Sequence, residues 1–511
     1  MRALLIVFLL LTIQTHAQKF DYNWLMGYNS AGGSDSSDGH WLATTRLNFD
    51  SMPRQVIMEH LGMNFAESNI AISDSVANLL FYCNGVTIRN YLDQVVENGD
   101  SLRWGYLLYY LYPDVYIHGE VYNQFLTVLS NPLRKGIYDL FYIFVDSVSA
   151  GSGDVVFSKL LRATLDMNAN NGRGLVTAKD LPVFKHEING PAVTAVKHAN
   201  GRDWWIVTAR TGTNSLDILF YNGSNTLIST VQSAGGSIYH DEITSFRFSP
   251  DGSKFFLASS SGVINIFDFD RCAGIMTLRE SFVDTQIRDS SYWAPYQVEY
   301  SPNSRFAYVV CHARVFQFDM EANTIQNSKT VIASYAGFQG PFTQSYDNAQ
   351  LGPDGKIYVG TDNSNWYYGV IDNPDGQGAS CNFLDHNLAV PTFVVGLPTY
   401  CNFRLGPLYG SGCDTLTGVN TLSNQEQILK VFPNPANDMA TIDYGFTDWS
   451  KGEVSLDISN ELGQIVYAQT LPRYSGYQKI DISKFAGGFY NVAIVRSGAV
   501  VGVAKLIRSG D

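Results

Sequence analysis

At 511 residues the chain exceeds what a single core ordinarily organises, so two or three domains are expected. Its 34 Lys and Arg against 47 Asp and Glu leave a net charge of −13. That excludes nucleic acid or an anionic membrane as the main partner, since both demand a basic face. With 45 Gly, 30 Tyr, 30 Phe and few charges, the composition fits an all-β globular protein.

The chain opens with MRALLIVFLLLTIQTHAQ. One Arg precedes a short apolar run, and Thr15-His16-Ala17 places small residues at −3 and −1 of a cleavage site after Ala17. Residues 1–17 therefore read as a secretory signal peptide. The run is shorter than the ~20 apolar residues a span requires, and no later stretch is long and apolar enough. The mature protein is expected to be exported and not an integral membrane protein. Export permits disulfides. Of the six cysteines, Cys381, Cys401 and Cys413 cluster late in the chain, where a staple is expected. No CxxC pair indicates a zinc or redox site.

A repeat follows. ITSFRFSPDGSKFFLASSSGVINIFDFD from Ile243, YQVEYSPNSRFAYVVCHARVFQFDM from Tyr296 and NAQLGPDGKIYVGTDNSNWYYGVIDNP from Asn348 share one plan. An alternating strand meets a Pro-Asp or Pro-Asn turn, a second apolar strand follows, and a third ends on Asp268, Asp319 or Asp372. Proline presets φ and the following Asp-Gly or Asn accepts a tight turn, so each unit begins with a hairpin. Weaker copies turn at Asn200-Gly201, Asn131-Pro132 and Asp74-Ser75. A period of roughly 50 residues holding three or four short strands is the pattern of a β-propeller. Six units are countable, and a seventh is expected to be shared between Thr44–Pro53 and Asn402–Gly410. The expectation for residues 18–407 is thus a seven-bladed propeller, with six blades as the alternative.

These units resemble WD-repeat propellers in plan, with the acid at the end of the third strand but without the Trp of the Trp-Asp pair. ISDSVANLLFYCNGVTIRN, AVKHANGRDWWIV and LGPDGKIYVGTDN with GVIDNPDGQGASCNF resemble an uncharacterised propeller family of secreted proteins in Bacteroidetes-type bacteria. That resemblance implies a fold and an exported setting, but no activity.

Chemistry is sparse in this region. There is no HExxH, GxSxG, GxGxxG before a helix, or Walker loop. GYNSAGGSDSSDGH (Gly27 to His40) lacks the spacing of a calcium loop. DMNANNGRG (Asp166 to Gly174) alternates oxygen side chains, but its glycine falls one place late and no acid follows at the twelfth position; it reads as a turn. No catalytic residue, metal ligand or cofactor is assigned. The surplus is aromatic: Trp204, Trp293, Tyr296, Trp366 and Tyr368 recur at related places. Adjacent strand residues face opposite ways, so one of each neighbouring pair is expected between blades and the other on a rim suited to a sugar or peptide.

Residues 408–427 are small, polar and aperiodic, as a linker should be. From Ile428 seven short alternating strands are legible, enough for a small immunoglobulin-like β-sandwich over 428–511. This stretch resembles the type A C-terminal sorting domain of the type IX secretion system. The matching marks are Pro433-Asn434-Pro435, the turn ending at Gly463, Gly488-Phe489-Tyr490 and Lys505-Leu506-Ile507. The resemblance implies delivery through the outer membrane, removal of the domain by a surface sortase, and release or attachment to lipopolysaccharide. The chain departs from the pattern by ending Ser509-Gly510-Asp511.

The expected role is non-catalytic binding of a glycan or protein at the cell surface or in the medium. The alternatives are a secreted hydrolase or lyase working at the propeller's channel mouth, which would place clustered acids there, and a structural part of a surface or gliding apparatus.

Overall fold

The computed structural model describes residues 18–30, 42–102, 119, 123–146, 156–184, 186–188, 190, 192–211, 213–224, 227–233, 244–259, 261–287, 297–335, 337, 342, 344–413, 428–445, 454–460, 464–471, 475–496 and 499–509. The signal peptide lies outside these. The chain divides into two compact units, Met1–Cys413 and Asp414–Asp511.

In the first unit the described residues form seven antiparallel sheets, each a meander of neighbouring strands. The first strands of the sheets are, in order, Asn23–Gly27, Ile70–Ser73, Leu126–Ser130, Thr194–Lys197, Thr244–Phe248, Gln297–Tyr300 and Tyr346–Leu351. The first two sheets have three strands and the other five have four. The turns expected at Asp74, Asn131, Asn200, Asp251, Asn303 and Asp354 all fall between the first and second strands of a sheet. Contacts between non-neighbouring sheets show that the first strands converge on one axis. Gln124, just before the third sheet, donates to the Phe246 carbonyl in the fifth at 2.6 Å, and Asn123 reaches Asp347 in the seventh. Sheets arrayed around a common axis make this unit a β-propeller.

Alternation supplies the packing. In Phe306–Cys311 every residue is buried. Phe306, Tyr308 and Val310 pack with Tyr346, Ile357 and Val359 of the seventh sheet, while Ala307 and Val309 pack with Phe256, Ile264 and Ile266 of the fifth. A strand with a sheet on either side has no solvent face, so both of its residue sets are apolar.

One segment departs from expectation. Asn402–Gly410 forms no strand. Instead the chain from Leu397 to Gly406 runs along the axis, from the end where the first strands of the second to seventh sheets begin (the entry end) to the end where their hairpins turn (the turn end); the first strand of the first sheet runs the other way, with Gly27 bridging Phe65 and Asn23 beside Ser73. The Thr399 amide donates to the Asn69 carbonyl at 3.1 Å. The Tyr400 hydroxyl bonds the Asn23 carbonyl at 3.0 Å and the Ala71 carbonyl at 2.9 Å. Arg404 Nη1 reaches both oxygens of Asp21 at 2.5 and 2.7 Å. At the turn end Asn402 donates to the Pro250 carbonyl, Arg271 to that of Gly406, and the Leu408 amide to that of Ala199.

A disulfide joins Cys272 to Cys413. It fastens the end of the unit as expected, but not within the cluster of three late cysteines. Cys401 is buried inside the channel and Cys381 is buried in the packing of the sixth and seventh sheets, both as thiols. The unit therefore continues past Pro407 to Cys413.

The second unit has two sheets. One holds Ile428–Phe432, Met439–Gly445 and Ser475–Asp481; the other holds Ile465–Thr470, Val454–Ser459, Gly488–Arg496 and Ala499–Arg508. Inward residues of both, among them Ile442, Tyr444, Leu456, Ile480, Val492 and Leu506, share one core, which is a sandwich.

Candidate functional site

The expected aromatic rim is largely core. Trp204 is fully buried, edge-on to Phe403 of the axial segment with ring centroids 5.8 Å apart, and Lys197 Nζ lies 4.1 Å from its ring centre. Tyr368 is also fully buried and donates its hydroxyl to the Gly396 carbonyl at 2.9 Å. Both are corrections, and the reason is the packing above: flanking sheets bury both faces of each strand. Trp366 lies in the strand Asn365–Ile371, half-buried against Phe393. Trp293 and Tyr296 lie outside the described residues. The Asp166–Gly174 stretch is a turn, as expected: Asn168 bonds the Lys135 carbonyl and Asn170 bonds Glu97.

The axial segment occupies the axis, bonded to the first, second, fifth and seventh sheets. Toward the turn end, charge is already matched. Arg247 and Glu299 form a buried pair, Arg247 also donates to the Tyr400 carbonyl at 2.9 Å, and Glu299 accepts the Tyr300 and Leu351 amides. A cavity of about 470 Å³ there is lined by Pro250, Pro302, Pro353, Asp251 and Arg404, with Arg404 committed to Asp21.

Unmatched polarity sits at the entry end. Between Tyr346 and Ala349 the seventh sheet carries a bulge: Tyr346 pairs with Thr361 and Ala349 with Val359, so Asp347 and Asn348 together oppose Gly360. A bulge re-aims side chains and is common beside functional sites. Here it turns both toward Asn123, just before the third sheet. Asn123 Nδ2 lies 3.3 Å from each carboxylate oxygen of Asp347, and Asn348 Nδ2 lies 3.4 Å from Asn123 Oδ1. Two glycines make room. A Cβ on Gly360 would collide with Asn348 Oδ1, and Gly396, at φ +62°, would drive a Cβ to 2.8 Å from Glu67 Cα.

Asp347 is 1 % exposed. Burial pushes its pKa up to about 7, with the charge of Asp362 adding to the rise and the Asn123 hydrogen bond opposing it. Asp362 itself accepts the Ser345 amide at 2.8 Å. In the same stretch of chain, Asn348 Oδ1, Ser345 Oγ and both amide atoms of Gln344 are buried without hydrogen-bond partners. Sequence reading missed this site because the bulge and the approach of Asn123 are tertiary facts. The local signal is a polar Asp-Asn pair, Asp347-Asn348, at the start of a buried strand.

In the second unit the expected marks converge. Asn434 Nδ2 donates to the Lys505 carbonyl at 2.7 Å, and its Oδ1 accepts the Ile507 amide at 2.8 Å. The Ala436 amide bonds the Ile507 carbonyl. Pro433 and Pro435 flank this clasp. Lys505 Nζ stands 4.0 Å from the centre of the Phe489 ring, next to Gly488. Tyr490 is buried against Phe485 and donates to the Ala486 carbonyl. Gly463 lies outside the described residues.

Residues 430–508 match the family described as "Secretion system C-terminal sorting domain". The second unit is thus a type IX sorting domain, and the chain is exported to the cell surface or the medium. No curated protein matches the chain. Similar solved structures include a protein of unknown function from Desulfotomaculum acetoxidans, at 12% identity and TM-score 0.41, covering 73% of this chain and 98% of that one. A periplasmic gluconolactonase from Pseudomonas aeruginosa has 13% identity and TM-score 0.35, with coverage of 95% and 98%. The Cps50 β-propeller domain of Myceliophthora has 11% identity and TM-score 0.36, with coverage of 65% and 92%. At such values these likenesses carry no argument about activity.

Proposed function

We propose that this type IX cargo is a seven-bladed propeller that binds a glycan, without turning it over, at the entry end of its axis. The observation that carries the reading is the bulge that presents Asp347 and Asn348 to Asn123. Amides and carboxylates held by buried backbone suit the hydroxyl pattern of a sugar, and the axial segment gives the site a floor. The sorting machinery and its surface sortase are the partners of delivery, and surface lipopolysaccharide is an anchoring partner when the cargo stays attached. Titration calorimetry of the exported form against a panel of surface and extracellular polysaccharides tests it. One class should bind, and Asn123→Ala should weaken that binding about tenfold or more, the loss of one or two good hydrogen bonds. Equal binding by the variant would reject the site.

One observation favours a second reading. A buried acid with a pKa lifted toward neutrality beside another carboxyl is also the arrangement of a general acid paired with a base. A hydrolase or lyase would release new reducing or unsaturated ends from the bound polysaccharide. It would lose that activity in both Asp347→Asn and Asp362→Asn while retaining affinity.

A further inference from the structure

We propose that a cavity between the third and fourth sheets of the propeller binds a small aliphatic carboxylate, with its anionic head on Arg134 and its chain along Leu181, Val183 and Leu227. The cavity holds about 470 Å³, within the range of small-molecule sites. It shares no residue with the entry-end bulge.

The cavity carries more positive charge than its surroundings cancel. Arg162, 7 % exposed, lies 3.8 Å from Asp139 and donates to the Ser224 carbonyl at 3.5 Å. Asp139 also accepts Thr164 at 2.6 Å, Asn131 at 3.0 Å and the Tyr221 hydroxyl. Burial and Asp139 push the Tyr221 hydroxyl up, while Arg162 and Arg134 both oppose that rise, so both guanidiniums stand near the same group. Asp139 offsets Arg162, but among the described residues no carboxylate forms an ion pair with the exposed Arg134. No Asp or Glu lines the cavity, in a chain whose net charge is −13. One uncancelled guanidinium matches a monoanion, and its planar fork fits a carboxylate.

The rest of the lining is largely aliphatic and is shaped by a distortion of the outer strand. Leu175–Pro182 pairs with Val156–Asp166 through two register shifts, which leave Ala178 opposite Thr164 and Leu181 opposite Arg162. Asp180, between them, has φ +57° and is pinned by Tyr142, whose hydroxyl accepts its amide at 2.9 Å and donates to its carboxylate at 2.7 Å. Such irregularities re-aim side chains and are frequent beside functional sites. Leu181 stays 43 % exposed at the cavity. A sugar fits poorly here. No aromatic ring lines the cavity, and the hydroxyls of Thr164 and Thr177 already donate to Asp139 and to the Thr164 carbonyl. A charged head on a plain hydrocarbon body suits both parts of the lining.

Calorimetry of the full chain with sodium octanoate should give one equivalent with a dissociation constant of about 1 mM, the order that ligand efficiency allows so small a molecule. Octylamine and 1-octanol, which keep the chain but lose the negative head, should bind at least about fivefold more weakly. Arg134→Gln, at an exposed position, should keep the unfolding midpoint and lower octanoate affinity about fivefold or more, the scale of one charge-assisted hydrogen bond. Leu181→Ala should lower it about threefold or more through lost apolar contact. The inference is overturned if octanoate does not bind at ~10 mM, if octanol or octylamine binds as tightly, or if both variants bind octanoate as the wild type does.

Discussion

Asp347 shows how one side chain reports its surroundings. In the native chain burial, helped by the charge of Asp362, raises its pKa to about 7, whereas an unfolded Asp titrates near ~4. Between those two values the native chain holds a proton that the unfolded chain has released. By linkage, stability from this group is present below about 4 and is lost as pH rises toward 7. The thermal midpoint of the wild type should therefore fall relative to Asp347→Asn across that window. A difference that stays flat with pH would mean Asp347 is not buried as described. The facing groups are Asn123, which cannot titrate, and Asp362. Nearby on the axis the opposite situation holds: the buried Arg247 and Glu299 satisfy each other and three backbone neighbours.

At the scale of elements, the axial segment is the piece that closes the propeller. Tyr400 touches the first, second and seventh sheets through its hydroxyl and amide, and its carbonyl takes Arg247 of the fifth. It has no exposed surface to speak of, at 2 %. Replacing it with Ala should cost about 3–5 kcal/mol, as for other large buried aromatics, read as a lower denaturation midpoint. A chain ended after Cys413 should keep the unit resistant to limited proteolysis, and one ended after Gly396 should lose that resistance. If the shorter chain were as resistant as the longer, the segment would be an ornament of the channel and not its closure. The Cys272–Cys413 bridge closes a separation of 141 residues and restricts the unfolded chain accordingly.

For the whole molecule, the two units divide the labour: a propeller that carries the site and a sandwich that carries the address. The disulfide lies on the propeller side of the boundary, so removal of the sorting domain leaves the axial segment fastened. The intact mass of the surface or secreted form should correspond to a new C-terminus after Cys413 and before Ile428. A chain ending at Asp511 in the medium would show that the sandwich is retained as part of the working protein. Asn434→Ala should loosen the clasp between the Pro-Asn-Pro turn and the closing strand, and lower the exported fraction relative to the periplasmic one. Unchanged export would place the recognised surface elsewhere on the sandwich.

Much of the architecture is legible in the sequence. The hairpin turns at Asp251, Asn303 and Asp354 are set by Pro, Asp and Gly chemistry that acts within four residues, and so are the strands beside them. The sorting marks are equally local, although their clasping together through Asn434 is not. What the tertiary structure decided is everything that depends on which surfaces meet. Trp204 and Tyr368 look like binding residues in sequence because exposure is not written there; sheets packed on both sides bury them. Cys413 finds Cys272 because the axial segment emerges beside that turn. The site itself arises from residues more than two hundred positions apart: one bulge, two glycines and Asn123 bring Asp347 to an unmatched, buried position. Local propensity determines turns and alternation, while burial and the meeting of distant polar groups are properties of the assembled propeller alone.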